Sequence, residues 1–490
     1  MPTLPSTYPT RISQNEAMLH PTAGLLHASA GLDSRQLNQT HQALTELRLK
    51  PNGACPLDPQ AAYASAKQTD LGREIATHGV GDLRADPEIY AKDLKVKYQT
   101  PFGVPTDQKQ SGRCWIFSSL NMMRAAVLDK YGKEFAYSQN FVAYWDKVER
   151  ANWFLESMMG LAHQPVDSRD LSILRDEAFG DGGEWVYFKN IVKKYGLVPN
   201  YAMPETNFSG LSGGYMAKLN ELLKEQGTIL QQMIQQGVSA DKVQEHKGLV
   251  LSKVQGILNS YLGAPPANFR WAKEDGKICS MTPLEFAKGN PLDVDDYVEI
   301  SMLDEEKTGV WLELPQTSNM VGGDHHKAFN LPVKDGMAAV RRAIQAGSPA
   351  LCMSEVKMLD AEKKLWSMDN DRSDQVFGLD ALPQLSKAGK LQAGVTSIAH
   401  AMLFVGCDDE DTNRFEGPTD QFRDTDGPLW LVENSWARAD KIFMTDSWVK
   451  EHVYEAVVPK KFLTDEQQDL VASPLTSSIP LKSWHYMAKV

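Results

Sequence analysis

The residues best suited to chemistry surround a single cysteine. Cys114 follows a Ser-Gly-Arg segment and precedes an amphipathic stretch, and Gln108 lies six positions before it. The start of a helix favours negative charge, so a thiol at that position would release its proton more easily, and the thiolate is the nucleophilic form. The Gln108 amide is close enough in the chain to donate a hydrogen bond to a developing oxyanion. This pattern predicts a thiol nucleophile; the simpler alternative is a buried, inert cysteine.

A thiol nucleophile needs a base, and His400 is the histidine that best fits this role. It lies near the start of an apolar strand, and a second strand ends at Asn434, two residues before Trp436. If the strands pair, the Asn434 amide can orient the imidazole toward the sulfur, and Trp436 can shield that contact from water. Taken alone, His400 is more simply a core histidine and Asn434 a turn residue. Gln108, Cys114, His400 and Asn434 together predict an acyl-transfer site.

The elements that position these residues follow from the spacing of apolar residues. Ile116, Leu120, Met123 and Val127 recur at helical spacing after Cys114, and Gly132 offers a stop. Residues 395–407 and 429–434 have the composition of strands, as does the segment 349–356, and residues 333–345 are typical of a helix.

Residues 213–261 differ from their surroundings in having two long amphipathic patterns separated near Gly237, although Gly227 argues against a continuous first helix. We therefore predict an α+β protein of several parts. These are an N-terminal extension (1–60), a helical half with the nucleophile (61–204), a helical insertion or oligomerisation arm (205–300), a β-rich half with His400 and Asn434 (301–475) and a C-terminal arm (476–490), which the family resemblance given below implies to lie toward the active-site cleft.

Bulk composition excludes several classes of protein. The 490 residues carry a net charge of −12, which argues against nucleic-acid binding as the main role. Five cysteines are scattered without a Cys-x-x-Cys pair, which indicates reduced thiols. No secretory signal or membrane-length apolar run is apparent, so we predict a cytoplasmic protein without a membrane partner.

Two adjacent histidines could suggest a metal site. We interpret Asp324-His325-His326 as a surface loop, because no third ligand has metal-site spacing.

Several motifs resemble the papain-like cysteine peptidases, and more closely their bleomycin hydrolase and aminopeptidase C branch. The resemblance covers about residues 85–490. The motifs are Gln-Lys-Gln-Ser-Gly-Arg-Cys-Trp at 108–115, Asp-Gly-Gly-Glu-Trp at 181–185, Lys-Tyr-Gly-Leu-Val-Pro at 194–199, Thr-Pro-Leu-Glu-Phe at 282–286, Ser-Asn-Met-Val-Gly-Gly at 318–323, His-Ala-Met at 400–402 and Glu-Asn-Ser-Trp at 433–436.

The resemblance implies a papain-like fold and a role for each residue that matches a motif. Cys114 would be the nucleophile, His400 the general acid and base, and Asn434 the residue that holds the imidazole. Gln108 and the backbone N–H of Cys114 would form the oxyanion hole, and no metal or other cofactor would be needed. We accordingly predict that a peptide substrate contacts Gly182, Gly183, Trp436 and Val490.

Members of this branch are similar in being cytosolic homohexamers whose own C-terminal carboxylate selects a substrate's free N-terminus. The resemblance therefore implies an aminopeptidase. The tail of this chain departs from the branch, however, with His485 and Tyr486 after the tryptophan, and Ala437 replaces a glycine after Asn-Ser-Trp. Two alternatives stay open: an endopeptidase of the same fold, and a nucleic-acid-binding or scaffolding hexamer.

Overall fold

A computed structural model of the chain describes residues 94–488, apart from 177–178, 274–275, 357–364, 369–383, 413–426 and 438–440. The described residues all fall within one unit of the chain, His78–Val490. The predicted N-terminal extension (1–60) and the predicted substrate contact Val490 lie outside the described residues. The predicted division of the chain into five parts stays a prediction.

Helices form most of the first half of the described chain. They are α1 (Cys114–Ala125), α2 (Leu128–Tyr131), α3 (Gln139–Gly160), α4 (Arg169–Asp176), α5 (Trp185–Tyr195), α6 (Gly213–Gln235), α7 (Ala240–Leu262), α8 (Pro283–Ala287), α9 (Val333–Gln345), α10 (Lys387–Gln392), α11 (Asp446–His452) and α12 (Asp465–Ala472). None of the helices in these described ranges is long and apolar enough to cross a membrane.

Strands dominate the second half and form a large mixed sheet, so the predicted α+β architecture is present. They are β1 (Tyr98–Gln99), β2 (Phe269–Ala272), β3 (Ile278–Met281), β4 (Tyr297–Ser301), β5 (Val310–Leu314), β6 (His326–Asn330), β7 (Ala350–Ser354), β8 (Leu365–Trp366), β9 (His400–Cys407), β10 (Leu429–Glu433), β11 (Lys441–Thr445), β12 (Val453–Pro459) and β13 (Ser478–Pro480). The main sheet has the order β13-β5-β6-β4-β12-β7-β9-β10-β11-β8, with β1 also paired to β9, whereas β2 and β3 form a separate hairpin.

Helix α1 is the central helix of the first half, and it begins at Cys114 as the sequence predicts. Nearly all of its side chains are buried, because it packs between other helices on one side and strand β9 on the other. The predicted helical pattern is interrupted after Ala125, and the chain resumes as the short helix α2. Gly132 then ends α2 with a φ of 84°, a conformation that glycine adopts without strain.

Strand β9 is buried on both faces and lies between β7 and β10. Ala401 and Leu403 belong to the core that contains α1, whereas Met402 and Phe404 belong to the core on the opposite face, under helix α9. This alternation follows from the period of two along a strand. The predicted pairing of β9 with β10 is confirmed, and the two strands are antiparallel.

Helices α6 and α7 form the helical block predicted for residues 213–261, and both pack against α3. Gly227 does not interrupt α6. A Cβ atom at this position would lie 3.0 Å from Met158 and 3.1 Å from Phe154, both on α3. The glycine therefore lets α6 and α3 approach closely. Gly227 is present for this packing and not as a helix breaker, so the sequence-based argument against a continuous helix is wrong.

The C-terminal segment is attached to the β-rich half before it turns toward the cleft. Strand β13 pairs in parallel with β5, and the backbone N–H of Leu481 donates to the Glu313 carbonyl at 2.7 Å. A 3-10 turn then spans Tyr486–Ala488, and the side chains of Met487 and Ala488 are buried. The end of the described chain is thus packed against the protein.

Candidate active site

The Cys114 thiol lies at the N-terminus of α1 and is 8% exposed. One turn further along the helix, the Ser118 hydroxyl lies 2.8 Å from the carbonyl oxygen of Ala401, the residue after His400. The same hydroxyl lies 2.9 Å from the Cys114 carbonyl oxygen. This side chain therefore joins the helix that carries the thiol to the strand that carries the imidazole.

The predicted contact between His400 and Asn434 is present. The Nε2 atom of His400 lies 2.8 Å from the Oδ1 atom of Asn434, and both side chains are buried. The Trp436 ring stacks on the imidazole, with 4.5 Å between ring centroids and 24° between ring planes. An amide oxygen accepts a hydrogen bond, so Nε2 carries hydrogen and Nδ1 is the nitrogen left to exchange a proton.

Gln108 is held against the segment that carries Asn434. Its backbone N–H donates to the Ser435 carbonyl at 2.9 Å, and the Ser435 hydroxyl donates to its side-chain oxygen Oε1. Its side-chain nitrogen Nε2 donates to the Ser111 carbonyl at 2.6 Å. An amide nitrogen carries two hydrogens, so the contact with Ser111 leaves the second one available to another acceptor.

The Asp181-Gly182-Gly183 segment packs directly on the residues around the thiol. The indole Nε1 of Trp115 donates to the Asp181 carbonyl at 2.8 Å, and the Gly112 N–H donates to the Asp181 carboxylate at 3.2 Å. A Cβ atom on Gly183 would lie 2.6 Å from the Trp115 ring. Burial alone would raise the pKa of Asp181, but Lys147, at 3.1 Å, and hydrogen bonds to the carboxylate lower it to about 2.

Arg113, immediately before the thiol, is fully buried and anchors the loop from within. Its guanidinium makes two parallel hydrogen bonds to the Glu205 carboxylate, at 2.9 and 2.7 Å, and its Nε donates to the Ser111 hydroxyl at 3.0 Å. Bidentate pairing fixes both the position and the plane of the guanidinium. The nucleophile loop is therefore coupled to the chain segment that leads into α6.

A buried ion pair joins the helical half to the strand that ends beside Asn434. The Arg124 guanidinium, on α1, lies 2.9 Å from the Glu433 carboxylate, and both side chains are at most 4% exposed. Asn121 donates to the same carboxylate oxygen at 3.0 Å. Removing one partner of such a pair typically costs about 3–5 kcal/mol, so the pair fixes how α1 and β10 meet.

Burial acts on both members of the predicted thiol–imidazole pair. It raises the pKa of the Cys114 thiol, although backbone groups of Ala401, Trp115 and Cys114 itself act in the opposite direction. It lowers the pKa of His400 to about 4, against the opposing effect of the hydrogen bond to Asn434. Burial thus disfavours the charged form of each group taken alone.

A cleft of about 810 Å³ borders the glycine pair. Its walls include Gly182, Gly183 and Tyr187, together with Ser483 and Ala488 from the C-terminal segment. Ser483 donates to the Asp170 carboxylate at 3.0 Å, which fixes the segment to the rim. The thiol itself does not line this cleft; it adjoins the cleft through Trp115, which touches Gly183.

A cysteine at a helix N-terminus, a histidine on a neighbouring strand, an asparagine that holds its ring and a glutamine beside them define the class of papain-like cysteine peptidases. The chain belongs to the Peptidase C1-like family, whose family model matches residues 62–488. The predicted family resemblance and fold class are confirmed.

Individual relatives agree with this assignment. The chain is 33% identical over 399 residues to aminopeptidase E of Lactobacillus helveticus, covering 78% of this chain and 86% of the relative. It is 31% identical over 381 residues to bleomycin hydrolase of Homo sapiens, covering 74% of this chain and 81% of the relative. The solved structure of PepW from Lactobacillus rhamnosis matches with a TM-score of 0.77 and 27% identity, covering 94% of this chain and 99% of that chain.

One sequence interpretation near the site is wrong. His326 does not lie in a surface loop; it is the first residue of β6 and is only 1% exposed. Spacing along the chain did not reveal further metal ligands, because the nearest ones in space belong to distant segments. Potential ligands instead come from strands β4 and β12, which lie next to each other in the sheet, and from the residue before α5.

Proposed function

We propose that the chain is a cysteine aminopeptidase that removes residues from the N-terminus of peptides, with Cys114 as nucleophile and His400 as general acid and base. The observation that carries the proposal is the position of Ala488, which lines the same cleft as Gly182 and Gly183. We expect the segment that carries Ala488 to close one end of this cleft. A peptide can then extend from the reacting carbonyl toward the closed end by only a few residues.

The chemistry follows from the arrangement of the four side chains. The Cys114 sulfur, with its proton transferred to Nδ1 of His400, attacks the carbonyl carbon of the scissile bond. His400 then donates that proton to the leaving amine, which departs and leaves a thioester on the sulfur. Water, deprotonated by His400, attacks the thioester and releases the acid product while the thiol regains its proton.

Two further contacts support this sequence of steps. The hydrogen bond between Nε2 of His400 and Oδ1 of Asn434 keeps the ring in one orientation through both proton transfers. The Gln108 side-chain nitrogen, held by Ser111 and by the Ser435 contact to the amide oxygen, provides a fixed donor for the oxyanion. A donor that is already oriented costs no reorganisation when the negative charge develops.

We propose that the C-terminal segment of the chain selects substrates that have a free N-terminus. The C-terminal segment lines the cleft at Ser483 and Ala488, and a carboxylate carried by this segment would attract the ammonium group of a substrate in the cleft. An N-acetylated substrate lacks that charge and is also longer. We therefore expect blocked peptides to be poor substrates, in contrast to what an endopeptidase would show.

The test compares free and N-acetylated aminoacyl fluorogenic substrates of the same side chain. The full-length protein should hydrolyse the free substrate at least about 100-fold more efficiently, since loss of a buried charge pair costs about 3 kcal/mol or more. A protein that lacks residues 481–490 loses the segment that lines the cleft, and it should lose most of this preference. Equal hydrolysis of both substrates by the full-length protein would overturn the aminopeptidase proposal in favour of the endopeptidase alternative.

Cys114→Ala is the matched control for the chemistry. It should hydrolyse neither substrate while retaining the far-UV circular dichroism and thermal unfolding of the unmodified protein, because it changes only a small side chain. Residual thiol-dependent hydrolysis in this variant would assign the reaction to another cysteine, such as the partly exposed Cys279.

The proposal extends to assembly and compartment. We propose a homohexamer in which α6 and α7 contribute to subunit contacts, and a cytoplasmic location. The unpaired cysteines among the described residues, Cys114, Cys279, Cys352 and Cys407, support a reducing compartment. Sedimentation velocity of the full chain tests the assembly. A single species with the mass of one 54.5 kDa chain would contradict it.

A further inference from the structure

Three glutamates and one histidine converge inside the protein at one face of the main sheet. Glu299 lies on β4, His326 begins β6 and Glu455 lies on β12, and these are three adjacent strands. Glu184, the residue before α5, completes the group. One carboxylate oxygen or ring nitrogen from each residue lies within 4.8 Å of the others, so four segments of chain supply donor atoms to one point.

Most of the polar atoms of these side chains have no hydrogen-bond partner among the described residues. Each residue is at most 4% exposed. Both carboxylate oxygens of Glu184 and Glu455, one of Glu299 and both ring nitrogens of His326 are buried without a hydrogen-bond partner. An unsatisfied buried polar group costs about 1–3 kcal/mol, and an unpaired ionised carboxylate costs much more. The concentration of such atoms at one point therefore indicates a bound species that satisfies them.

The neighbouring cationic side chains, Arg150 and Lys189, pair with other groups. The Arg150 guanidinium attracts Glu184 through space, but it hydrogen bonds to the Asp146 carboxylate, at 2.9 Å from Nε, and to the Gly182 carbonyl. Lys189, which acts on Glu299 at longer range, pairs with Asp324 at 2.6 Å. Glu184 itself precedes a helix without capping its N–H groups, so its carboxylate is directed to the cluster and not to the helix.

We propose that Glu184, Glu299, His326 and Glu455 bind one divalent transition-metal ion of the kind represented by Zn²⁺ or Mn²⁺. Carboxylate oxygens together with one imidazole nitrogen suit these ions, whereas Ca²⁺ and Mg²⁺ are bound through oxygen. The Nε2 atom of His326 lies 3.7 Å from a Glu299 oxygen and 3.8 Å from a Glu455 oxygen. A tetrahedral ion with bonds of about 2.1 Å separates its ligand atoms by about 3.4 Å, so small side-chain movements complete the site.

The competing explanation is a cluster of protonated carboxyl groups. In the absence of an ion, burial raises the pKa of Glu184 to about 8 and raises those of Glu299 and Glu455 well above the usual range. The three carboxyl groups would then be protonated and would carry no negative charge. The two explanations differ in what a neutral substitution does: glutamine resembles a protonated glutamate in shape and polarity, but it removes the anionic oxygen that an ion requires.

An ion at this position would have a structural role next to the reacting groups. Glu184 follows Gly183 directly, so an ion that joins Glu184 to β4, β6 and β12 holds the glycine pair against the sheet. Four protein ligands leave no coordination site for substrate, which is typical of structural metal sites. The thiol chemistry does not pass through the ion, so the presence of the ion can be tested independently of the peptidase proposal.

The experiment measures metal content and thermal stability of the full chain. Protein purified without chelators should contain about one equivalent of a transition metal by mass spectrometry. Dialysis against a strong chelator should remove it and lower the unfolding temperature by about 5 °C or more, and Zn²⁺ or Mn²⁺ should restore that temperature. The double variant Glu299→Gln/Glu455→Gln should contain no metal and show no chelator effect.

The adjacent pair His325 and Glu313 provides a matched control. These side chains lie 3.7 Å apart and are partly exposed, so the double variant His325→Gln/Glu313→Gln should keep both its metal and its chelator response. The proposal is overturned if the unmodified protein contains no metal and does not respond to Zn²⁺ or Mn²⁺. It is also overturned if the control loses its metal. If the Glu299→Gln/Glu455→Gln variant does not fold, the unmodified protein alone decides the question.

Discussion

The Nε2 atom of His400 lies 2.8 Å from the Oδ1 atom of Asn434, and the Trp436 ring covers the imidazole. His400 begins β9, and Asn434 directly follows β10. The orientation of the imidazole is therefore set by the pairing of two strands within the sheet. Because both faces of these strands are buried, a one-residue shift of register would move each side chain into the opposite core, which is packed around a different side chain.

Asn434→Ala removes the acceptor for Nε2 while leaving the thiol and the imidazole in place. We expect kcat to fall by about 10–100-fold with KM changed by less than about twofold, because the imidazole loses its fixed orientation and substrate contacts remain. Steady-state kinetics on a free aminoacyl substrate measure the changes in kcat and KM separately. Asn290→Ala, an amide that instead donates to Met123 and Tyr137, is the control and should retain kcat; an equal loss in both variants would contradict the orienting role.

Gly183→Ala would place a methyl group 2.6 Å from the Trp115 ring. The ring is buried and its nitrogen is tied to Asp181, so the methyl group cannot be accommodated without strain. We expect the free energy of unfolding to fall by about 1–3 kcal/mol, measured by urea denaturation. Gly256→Ala, within α7 and with no atom near its Cβ position, should raise it by about 0.5–1 kcal/mol. Destabilisation of similar size in both variants would show that the Trp115 contact is not the cause.

Ala437 adopts a φ of 27°, in a region that disfavours residues with a side chain. Ala437→Gly relieves strain of about 1–3 kcal/mol and costs about 0.4–1 kcal/mol through the greater freedom of the unfolded chain. We therefore expect a net stabilisation of about 1 kcal/mol. The same substitution at the exposed helical residue Ala217 should destabilise by a similar amount. Denaturant unfolding of the two variants should give opposite signs, and equal signs would show that the φ at residue 437 is not strained.

The lowered pKa of His400 predicts sensitivity to acid. In the Cys114→Ala variant, the ring should titrate near 4 in the folded protein and near 6.5 in the unfolded chain. Between these values the unfolded chain binds more protons, so stability falls as the pH decreases from about 6.5 to about 4, by up to about 3 kcal/mol. We expect the Cys114→Ala/His400→Gln variant to lack this contribution. Parallel stability curves of the two variants across this pH range would contradict the assignment.

The positions that the sequence predicted correctly are those fixed by local patterns. Cys114 was expected at a helix N-terminus because a turn precedes it and apolar residues at helical spacing follow it, and α1 begins there. The contact of His400 with Asn434 was expected because two apolar strands of the β-rich half were assumed to pair. Helix α9 has the predicted bounds, Val333–Gln345, since its apolar spacing is regular and a proline precedes it.

The contacts that the sequence did not reveal join segments far apart in the chain. The pair formed by Arg124 and Glu433 links a helix to a strand of the opposite half. Glu433 belongs to the Glu-Asn-Ser-Trp motif, but nothing in that motif predicts Arg124 as its partner. His326 was misinterpreted for the same reason, because the glutamates beside it come from three other segments. A pattern in one segment records which face is buried, but it does not record which charged group from a distant segment meets that face.

The pair formed by Arg113 and Glu205 has a consequence for exchanging parts between relatives. A chimaera that receives its helical block from another family member, joined after residue 205, would keep both partners. With a junction before residue 205, the donor would supply the residue at position 205. An uncharged residue there would leave the fully buried Arg113 guanidinium, one position from the thiol, without its ion-pair partner. The position of the junction relative to residue 205, and the donor's residue there, would then decide whether the graft folds with a usable nucleophile.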